Sequence, residues 1–195
     1  MPYEVTRRFE HALGEYTGAP YVVCVNSCTA ALLLACEWHS ETTIEIPKRT
    51  YISVPHSVVL AGHKVAWGAE RFEGAYQLKP LPVWDCALRF TSRMYIHGQY
   101  QCISFAAAKI LGIEQGGAIL HDDPTFDVWA RRMRFDGRTE GLHPSEEKDM
   151  LIGHHCLMLP SIAAQGLLRL HHMPKHNPDQ VRDDYPDLSR FTVWR

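Results

Sequence analysis

Hydrophobic and polar residues follow one another along the chain in blocks that predict short buried strands alternating with helices. Residues 4–16 place apolar side chains on one helical face, and the Thr-Gly-Ala-Pro run at 17–20 ends that helix. Residues 21–25 form a β-branched run, typical of a buried strand, and residues 30–38 are apolar nearly all round, typical of a buried helix. Further strands are predicted at 43–46, 64–67, 82–84, 103–105 and 118–120, and further helices at 51–61, 126–135 and 162–170.

This alternation predicts an α/β fold, a three-layer sandwich in which helices cover both faces of a mostly parallel sheet. The strands at 103–105 and 118–120 are expected to pair antiparallel. A length of 195 residues fits one domain with a full-sized core, which we place at residues 1–173. Residues 174–195 are polar and contain Pro178 and Pro186, so they are expected to form a loose polar C-terminal extension.

Charge and hydropathy narrow the classes of partner. The chain has 20 basic and 22 acidic residues, a net charge of −2, which gives no electrostatic reason to expect nucleic acid or an anionic membrane. Residues 17–36 are uncharged and approach membrane-span length, but Asn26 and Ser27 in their middle favour a strand, a turn and a buried helix. The charged residues near the N-terminus argue against a signal peptide.

Six cysteines and twelve histidines stand out in the composition. The cysteines form no Cys-x-x-Cys pair and lie mostly in apolar segments, which predicts buried thiols in a reducing cytoplasm. His154-His155 and the group at 171, 172 and 176 offer imidazoles to a metal. However, Pro174 interrupts any helix there and no carboxylate completes a familiar spacing, so we expect interface or surface histidines and no metal site.

Lys109 is the first candidate for chemistry, because it follows an apolar strand among the small side chains of 106–108. Burial disfavours the charged ammonium and lowers a lysine pKa. A neutral amine is a nucleophile that forms Schiff bases with carbonyls, including that of pyridoxal phosphate (PLP). The alternative is a lysine that buries its stem and keeps its amine in water.

Other polar residues also fall at predicted strand ends, where ligand sites of α/β sheets lie. Ser27-Cys28-Thr29 opens a helix, where it would bind an anion or serve only as a cap. Asp85 ends an apolar strand, where it would hold a protonated pyridine nitrogen or serve as an ordinary cap or ion-pair residue. Together with Lys109 and Thr50-Tyr51, these residues predict one ligand pocket.

Several of these motifs occur together, and in the same order, in a known family. They are FE…YTGAPYVV…NSCTAAL within residues 9–32, P-x-x-T-Y at 47–51, DCA at 85–87, CISFAAAK at 102–109 and GGAI at 116–119. In combination they resemble the DegT/DnrJ/EryC1/StrS family of sugar aminotransferases, which are PLP enzymes of fold type I, over about residues 8–172. The resemblance implies the large domain of an aspartate aminotransferase-like transferase.

The resemblance also implies roles for individual residues. Lys109 would be the catalytic residue that forms the Schiff base with PLP, Asp85 would pair with the pyridine nitrogen, and Tyr51 would stack on the ring. The phosphate would be bound by Cys28, Thr29 and Ser104, and Ala87 belongs to the same cofactor-binding motif as Asp85. His155 occupies the position whose side chain reaches the cofactor phosphate of the neighbouring subunit, which implies a homodimer.

The implied function is a PLP-dependent enzyme that acts on an amino or keto group of a sugar or other small carrier, with a small-molecule amino donor and acceptor. The sequence is about half the family's length, so the resemblance implies a shortened version lacking the C-terminal small domain. Leu88 stands where the family has Gln or His. Two alternatives therefore stay open: a PLP-dependent decarboxylase acting on an amino acid attached to a larger carrier, such as a modified nucleotide, and a non-catalytic PLP-binding or dimeric homologue. So compact a version would suit a phage genome.

Overall fold

The computed structural model describes residues 3–194, in which five α-helices and seven β-strands are found. The helices are α1 (Glu4–Thr17), α2 (Cys28–Glu37), α3 (Ser53–Leu60), α4 (Pro124–Met133) and α5 (Pro160–His171). The strands are β1 (Tyr21–Val25), β2 (Thr43–Pro47), β3 (Lys64–Gly68), β4 (Tyr76–Gln77), β5 (Val83–Asp85), β6 (Tyr100–Ser104) and β7 (Gly117–His121). No helix within 3–194 has the length and apolar character needed to cross a membrane.

The strands form a five-stranded sheet in the order β1-β7-β6-β5-β4 and a separate parallel pair, β2-β3. The α/β class is as predicted, and so is the antiparallel pairing of β6 with β7, in which Ser104 lies opposite Gly117. The larger sheet is mixed rather than mostly parallel, because only its β5-β6 pair is parallel. Strands buried on both faces have the same apolar pattern in either direction, so the sequence pattern could not distinguish the two.

Helices cover both faces of the larger sheet, and β1 shows how its side chains are shared between them. Val22 and Cys24 face the layer that contains α1 and α5. Val23 and Val25 point the opposite way, into the core formed with α2 and α4. Since side chains alternate along a strand, a run in which both sets are apolar requires cover on both faces. The three-layer arrangement therefore follows from this strand's composition.

The α1-α5 layer depends on a close approach between one glycine and one aromatic ring. A Cβ built on Gly166 of α5 would lie only 2.4 Å from the Phe9 ring of α1. Phe9 is fully buried and packs against Phe105, with ring centroids 5.5 Å apart. Any larger residue at position 166 would push α5 away from α1 and from the segment that follows β6.

A buried ion-pair network joins α1 to the end of α4. The Glu10 carboxylate accepts hydrogen bonds from Arg134 Nη1 at 2.5 Å and Arg131 Nη1 at 2.7 Å, and Arg134 also donates to Glu140. The Cys24 amide of β1 donates to Glu10 as well. Arg134 is almost completely buried, so its charge depends on these partners for compensation.

Residues 174–194 pack against the rest of the chain, which corrects the expectation of a loose tail. Asp179 pairs with Arg89, with a shortest N–O distance of 2.6 Å, and Asn177 Nδ2 donates to Phe90 O at 3.0 Å. Leu188 is completely buried, and the nearly buried Trp194 contacts Trp67. The boundary proposed at residue 173 remains a prediction.

Candidate active site

One cavity of about 650 Å³ lies between the carboxyl ends of β5 and β6 and the start of α2. Seven of the eight predicted site residues line it: Cys28, Thr29, Tyr51, Asp85, Ala87, Ser104 and Lys109. They come from five separate parts of the chain. The position agrees with the general rule for ligands in α/β sheets.

Lys109 lies in the connection from β6 to β7, where its amide donates to Ala106 O at 2.8 Å and closes a turn. The side chain is half-buried at the cavity wall. Burial lowers the pKa of the Lys109 amine, the negative charge of Asp85 opposes that shift, and the positive charge of Arg182 adds to it. The neutral, nucleophilic form is therefore reached at lower pH than for an ordinary lysine.

Asp85 is buried at the end of β5, and its carboxylate is held by neutral donors. Oδ1 accepts from the Ala87 amide and Oδ2 from the Tyr76 hydroxyl, both at 2.9 Å. Because Tyr76 donates its proton to Asp85, the Thr50 hydroxyl, 2.6 Å from the Tyr76 oxygen, must donate to it. Burial raises the pKa of Asp85, although these hydrogen bonds and Lys109 oppose the rise. A cation bound beside Asp85 would offset the cost of burying its charge.

The start of α2 forms a second polar wall. Ser27 caps the helix by accepting from the Ala30 amide at 3.1 Å, which leaves the amides of Cys28 and Thr29 outside the helix's own hydrogen bonds. The backbone of Gly117 comes so close that an added Cβ would lie 2.5 Å from the Cys28 nitrogen. Burial raises the pKa of the Cys28 thiol well above its usual value, so the thiol remains neutral.

Tyr51 stands at the mouth of the cavity, with 57% of its surface exposed. Its ring faces the edge of Tyr185, with centroids 6.5 Å apart. Tyr185 belongs to the span 182–186, of which Arg182, Asp184 and Pro186 also line the cavity. This wall was absent from the sequence-based prediction.

His155 does not line this cavity. Its side chain is largely exposed and its Nδ1 lies 3.0 Å from a carboxylate oxygen of Asp136. The predicted contact across a dimer interface therefore remains a prediction. Within residues 3–194, no group of three or more His, Cys, Asp or Glu side chains is arranged to hold a metal ion.

The sequence profile of the DegT/DnrJ/EryC1/StrS aminotransferase family matches residues 1–70 and 93–182. This chain belongs to that family. The matched ranges contain five of the seven predicted residues that line the cavity, whereas Asp85 and Ala87 fall in the gap between the ranges, as does the hydrogen-bonding Tyr76. Asp85 and Ala87 thus rest on the short Asp-x-Ala motif and on the geometry described above.

Solved structures agree with the family assignment. AtS13 from Actinomadura melliaura superimposes with a TM-score of 0.73 at 19% identity, over 86% of this chain and 59% of that one. A DegT/DnrJ/EryC1/StrS aminotransferase from Brucella abortus gives 0.68 at 17%, over 86% and 58%. NtdA from Bacillus subtilis, solved with bound cofactor PMP, gives 0.68 at 15%, over 87% and 48%. The fold is thus that of the PLP-dependent aminotransferases, and this chain spans less than two thirds of these proteins. No curated protein matches the sequence significantly.

The sequence did not predict two groups of residues at the site, one behind Asp85 and one in the cavity wall. Tyr76 lies opposite Asp85 in the β4-β5 pair, but β4 is only two residues long and leaves no readable alternation. Arg182 and Tyr185 lie in a polar, proline-flanked segment, and its position depends on hydrogen bonds and ion pairs with distant residues. The Arg-x-x-Tyr spacing carries no specific signal.

Proposed function

We propose that this chain is a PLP-dependent enzyme of the aminotransferase type that acts on the amino or keto group of a small molecule. The observation that carries the proposal is that one cavity brings together Lys109, the buried carboxylate of Asp85 and the amide-rich start of α2. These are a nucleophilic amine, a partner for a cation and a partner for an anion, and a molecule with an aldehyde, a pyridinium and a phosphate needs all three.

The residues fit PLP at each contact. Asp85 would hold the pyridine nitrogen, since its neutral hydrogen-bond donors leave its charge uncompensated by any ion pair among the described residues. The amides of Cys28 and Thr29, with the Ser104 hydroxyl, would hold the phosphate, and Gly117 leaves these amides open because it has no Cβ. Tyr51 would cover the ring with its aromatic face, and Ala87 would hold Asp85 in position through its amide.

When bound, PLP supplies an aldehyde that condenses with amines and a protonated ring that accepts electrons from the substrate carbon. Lys109 would attach the cofactor and, once an amino substrate has displaced its amine, would move a proton at the substrate carbon. Its lowered pKa favours both tasks, because each requires the neutral amine. Burial of Asp85 would keep water away from the ring nitrogen.

Borohydride reduction tests the assignment of Lys109. Purified protein incubated with PLP and then reduced should carry the cofactor on the Lys109 peptide, as seen by mass spectrometry, and Lys109→Ala should abolish both this label and the visible absorbance. Lys64→Ala is the matched control, since Lys64 is exposed and pairs only with the exposed Glu41. A label on any other lysine, or an unlabelled wild-type chain, would refute the proposal.

The reaction itself is tested by its products. Transamination converts an amino donor into a keto acid and leaves an aminated acceptor, whereas decarboxylation releases CO₂ from the amino substrate. We expect keto acid formation that depends on Lys109. Release of CO₂ without keto acid would indicate the decarboxylase, and turnover of neither kind would indicate a non-catalytic protein.

We further propose a cytoplasmic homodimer. All six cysteines are free thiols, which supports a reducing compartment. The segment around His155 exposes large apolar side chains, with Ile152 98% and Met150 60% exposed, which supports a protein partner there. If His155 completes a partner's site, mixing inactive Lys109→Ala and His155→Ala chains should restore one site in each mixed dimer. A monomer by light scattering would exclude the dimer.

A further inference from the structure

The segment 174–194 crosses the mouth of the cavity and is fixed at both ends. On one side, Asp179 pairs with Arg89. The backbone N–H of Gln180 donates to Leu88 O at 2.8 Å, and the side-chain Nε2 of Gln180 donates to Ala108 O at 3.1 Å. On the other side, the Leu188 amide donates to Lys48 O at 2.8 Å and Leu188 is completely buried. The residues between these anchors are therefore held over the cavity.

This span brings a second cation to the pocket. Arg182 and Lys109 are the only basic side chains among the described residues that line it. Arg49 Nη1 donates to Tyr185 O at 3.0 Å, which further fixes the backbone of residues 182–186. Because the backbone is held on both sides of it, Arg182 can remain beside the reactive amine at low entropic cost.

The guanidinium of Arg182 is poorly compensated. Its ion-pair contact is Asp184, at 3.7 Å, and both side chains are substantially exposed, at 42% and 73%. A long contact between exposed groups contributes little. A ligand carboxylate could therefore replace Asp184 and form two parallel hydrogen bonds with the planar guanidinium.

We propose that Arg182 binds the carboxylate of the amine-bearing substrate and that the segment 174–194 is the wall that positions it. This proposal rests on the proposed function, because the molecule whose amine replaces that of Lys109 must also carry the carboxylate that Arg182 binds. An amino acid carries its carboxylate on the carbon that bears the amine. A phosphate-bearing carrier is a different occupant, and the start of α2 already offers amides to one phosphate.

Spectral titration of the PLP-loaded protein tests the proposal. L-Alanine, L-serine and L-glutamate are compared with their α-amides, in which the carboxylate charge is absent, and uridine diphosphate tests a phosphate-bearing occupant. At least one amino acid should bind the wild type more tightly than its amide. Arg182→Gln should weaken the binding of that amino acid about tenfold or more, the scale of a charge-assisted hydrogen-bonded pair, and leave the binding of its amide unchanged. Arg182→Lys keeps the positive charge but cannot form two parallel hydrogen bonds, so its affinity for the amino acid should lie between those of the wild type and Arg182→Gln.

Arg190→Gln is the matched control, because Arg190 lies in the same segment, contacts the Phe191 ring and does not line the cavity. The proposal is overturned if none of the amino acids binds the wild type. It is also overturned if Arg182→Gln weakens the binding of the amino acid and of its amide equally, weakens the binding of neither, or weakens only the binding of uridine diphosphate. Borohydride labelling of Lys109 in each variant separates these results from failure of the proposed function. If nothing is labelled, the guanidinium N–H resonance of Arg182 in cofactor-free protein decides. At least one of the three amino acids must shift this resonance, and no shift with any of them overturns the proposal.

Discussion

The Tyr76 hydroxyl donates a hydrogen bond to Asp85 Oδ2 at 2.9 Å, across the two-residue antiparallel pair of β4 and β5. This bond fixes the orientation of Asp85, the one buried carboxylate among the described residues that line the cavity, and lowers its pKa against the opposing effect of burial. The Tyr76 hydroxyl also accepts a hydrogen bond from Thr50 at 2.6 Å, so that Tyr76 links Asp85 to the residue next to Tyr51 at the cavity mouth.

Tyr76→Phe should therefore weaken PLP binding without unfolding the protein. Asp85 loses a hydrogen bond to its charged form, so its pKa should rise further and its attraction for a pyridinium should fall. A bond of this kind corresponds to roughly tenfold or more in affinity. Equilibrium dialysis against PLP measures the change. Tyr95→Phe, which removes a hydroxyl bonded to Gln99 O at 3.1 Å outside the cavity lining, should bind PLP normally.

Gly117→Ala should abolish phosphate binding at the start of α2. The added Cβ would lie 2.5 Å from the Cys28 nitrogen, so either the helix start or β7 has to move. Gly68→Ala is the control, because its Cβ would meet only the flexible Glu45 side chain, at 3.3 Å. Titration with inorganic phosphate should show a loss only in the first variant, and equal binding by both would contradict the assigned phosphate site.

The Lys109 pKa should move in opposite directions in two variants. Arg182→Gln removes a positive charge that lowers the pKa of Lys109, so the pKa should rise. Asp85→Asn removes a negative charge that raises it, so the pKa should fall. The pH dependence of Lys109 acylation in cofactor-free protein, followed by peptide mass spectrometry, measures both. Shifts in the same direction would show that the two charges do not act on this amine as described.

Stability should depend on pH through Glu10. Burial alone would raise the pKa of this carboxyl, but Arg134 and Arg131 reverse the effect and hold it below the ordinary 4.5. The stabilisation is therefore complete above about pH 4.5 and lost as the pH falls through the lower folded-state value. Glu10→Gln should cost about 3–5 kcal/mol of unfolding free energy at neutral pH, since it leaves buried Arg134 short of charge.

Urea unfolding at a series of pH values checks this prediction. The loss in Glu10→Gln should shrink as the wild type itself loses the stabilisation in acid. Glu15→Gln on the same helix is the control, because Glu15 is 71% exposed and its salt bridge, to His11 at 3.6 Å, is a surface contact. An equal cost in both variants would mean that the buried network does not stabilise the fold.

The sequence predicted the elements that bring Lys109 and Asp85 to one edge of the sheet, because both follow apolar strands and ligand sites collect at such ends. It also predicted the helix start at Cys28 and Thr29 from the polar run that precedes an apolar block. These features are local, so a single sequence carries them. The family resemblance added the roles but not the geometry.

What escaped prediction depends on contacts between distant residues. Apart from the β6-β7 pair, the antiparallel pairings of the mixed sheet were not predicted, because β1, β6 and β7 are buried on both faces and their burial pattern does not encode direction. The segment 174–194 contains few apolar residues and is held by contacts such as Arg89–Asp179, ninety residues apart, which no periodicity reveals. Tyr76 was missed because two residues are too few to show a strand.

The segment 174–194 is attached beyond β5 through Arg89 and beyond β2 through Lys48, and so connects the five-stranded sheet with the smaller parallel pair. Opening the cavity mouth therefore requires that one of these attachments be released. A molecule bound against Arg182 and Tyr185 would make such local opening less frequent. The amide hydrogens of β2 and β3 would then exchange with solvent more slowly when the cavity is occupied. Hydrogen exchange in this pair would thus report ligand binding, although no residue of the two strands lines the cavity.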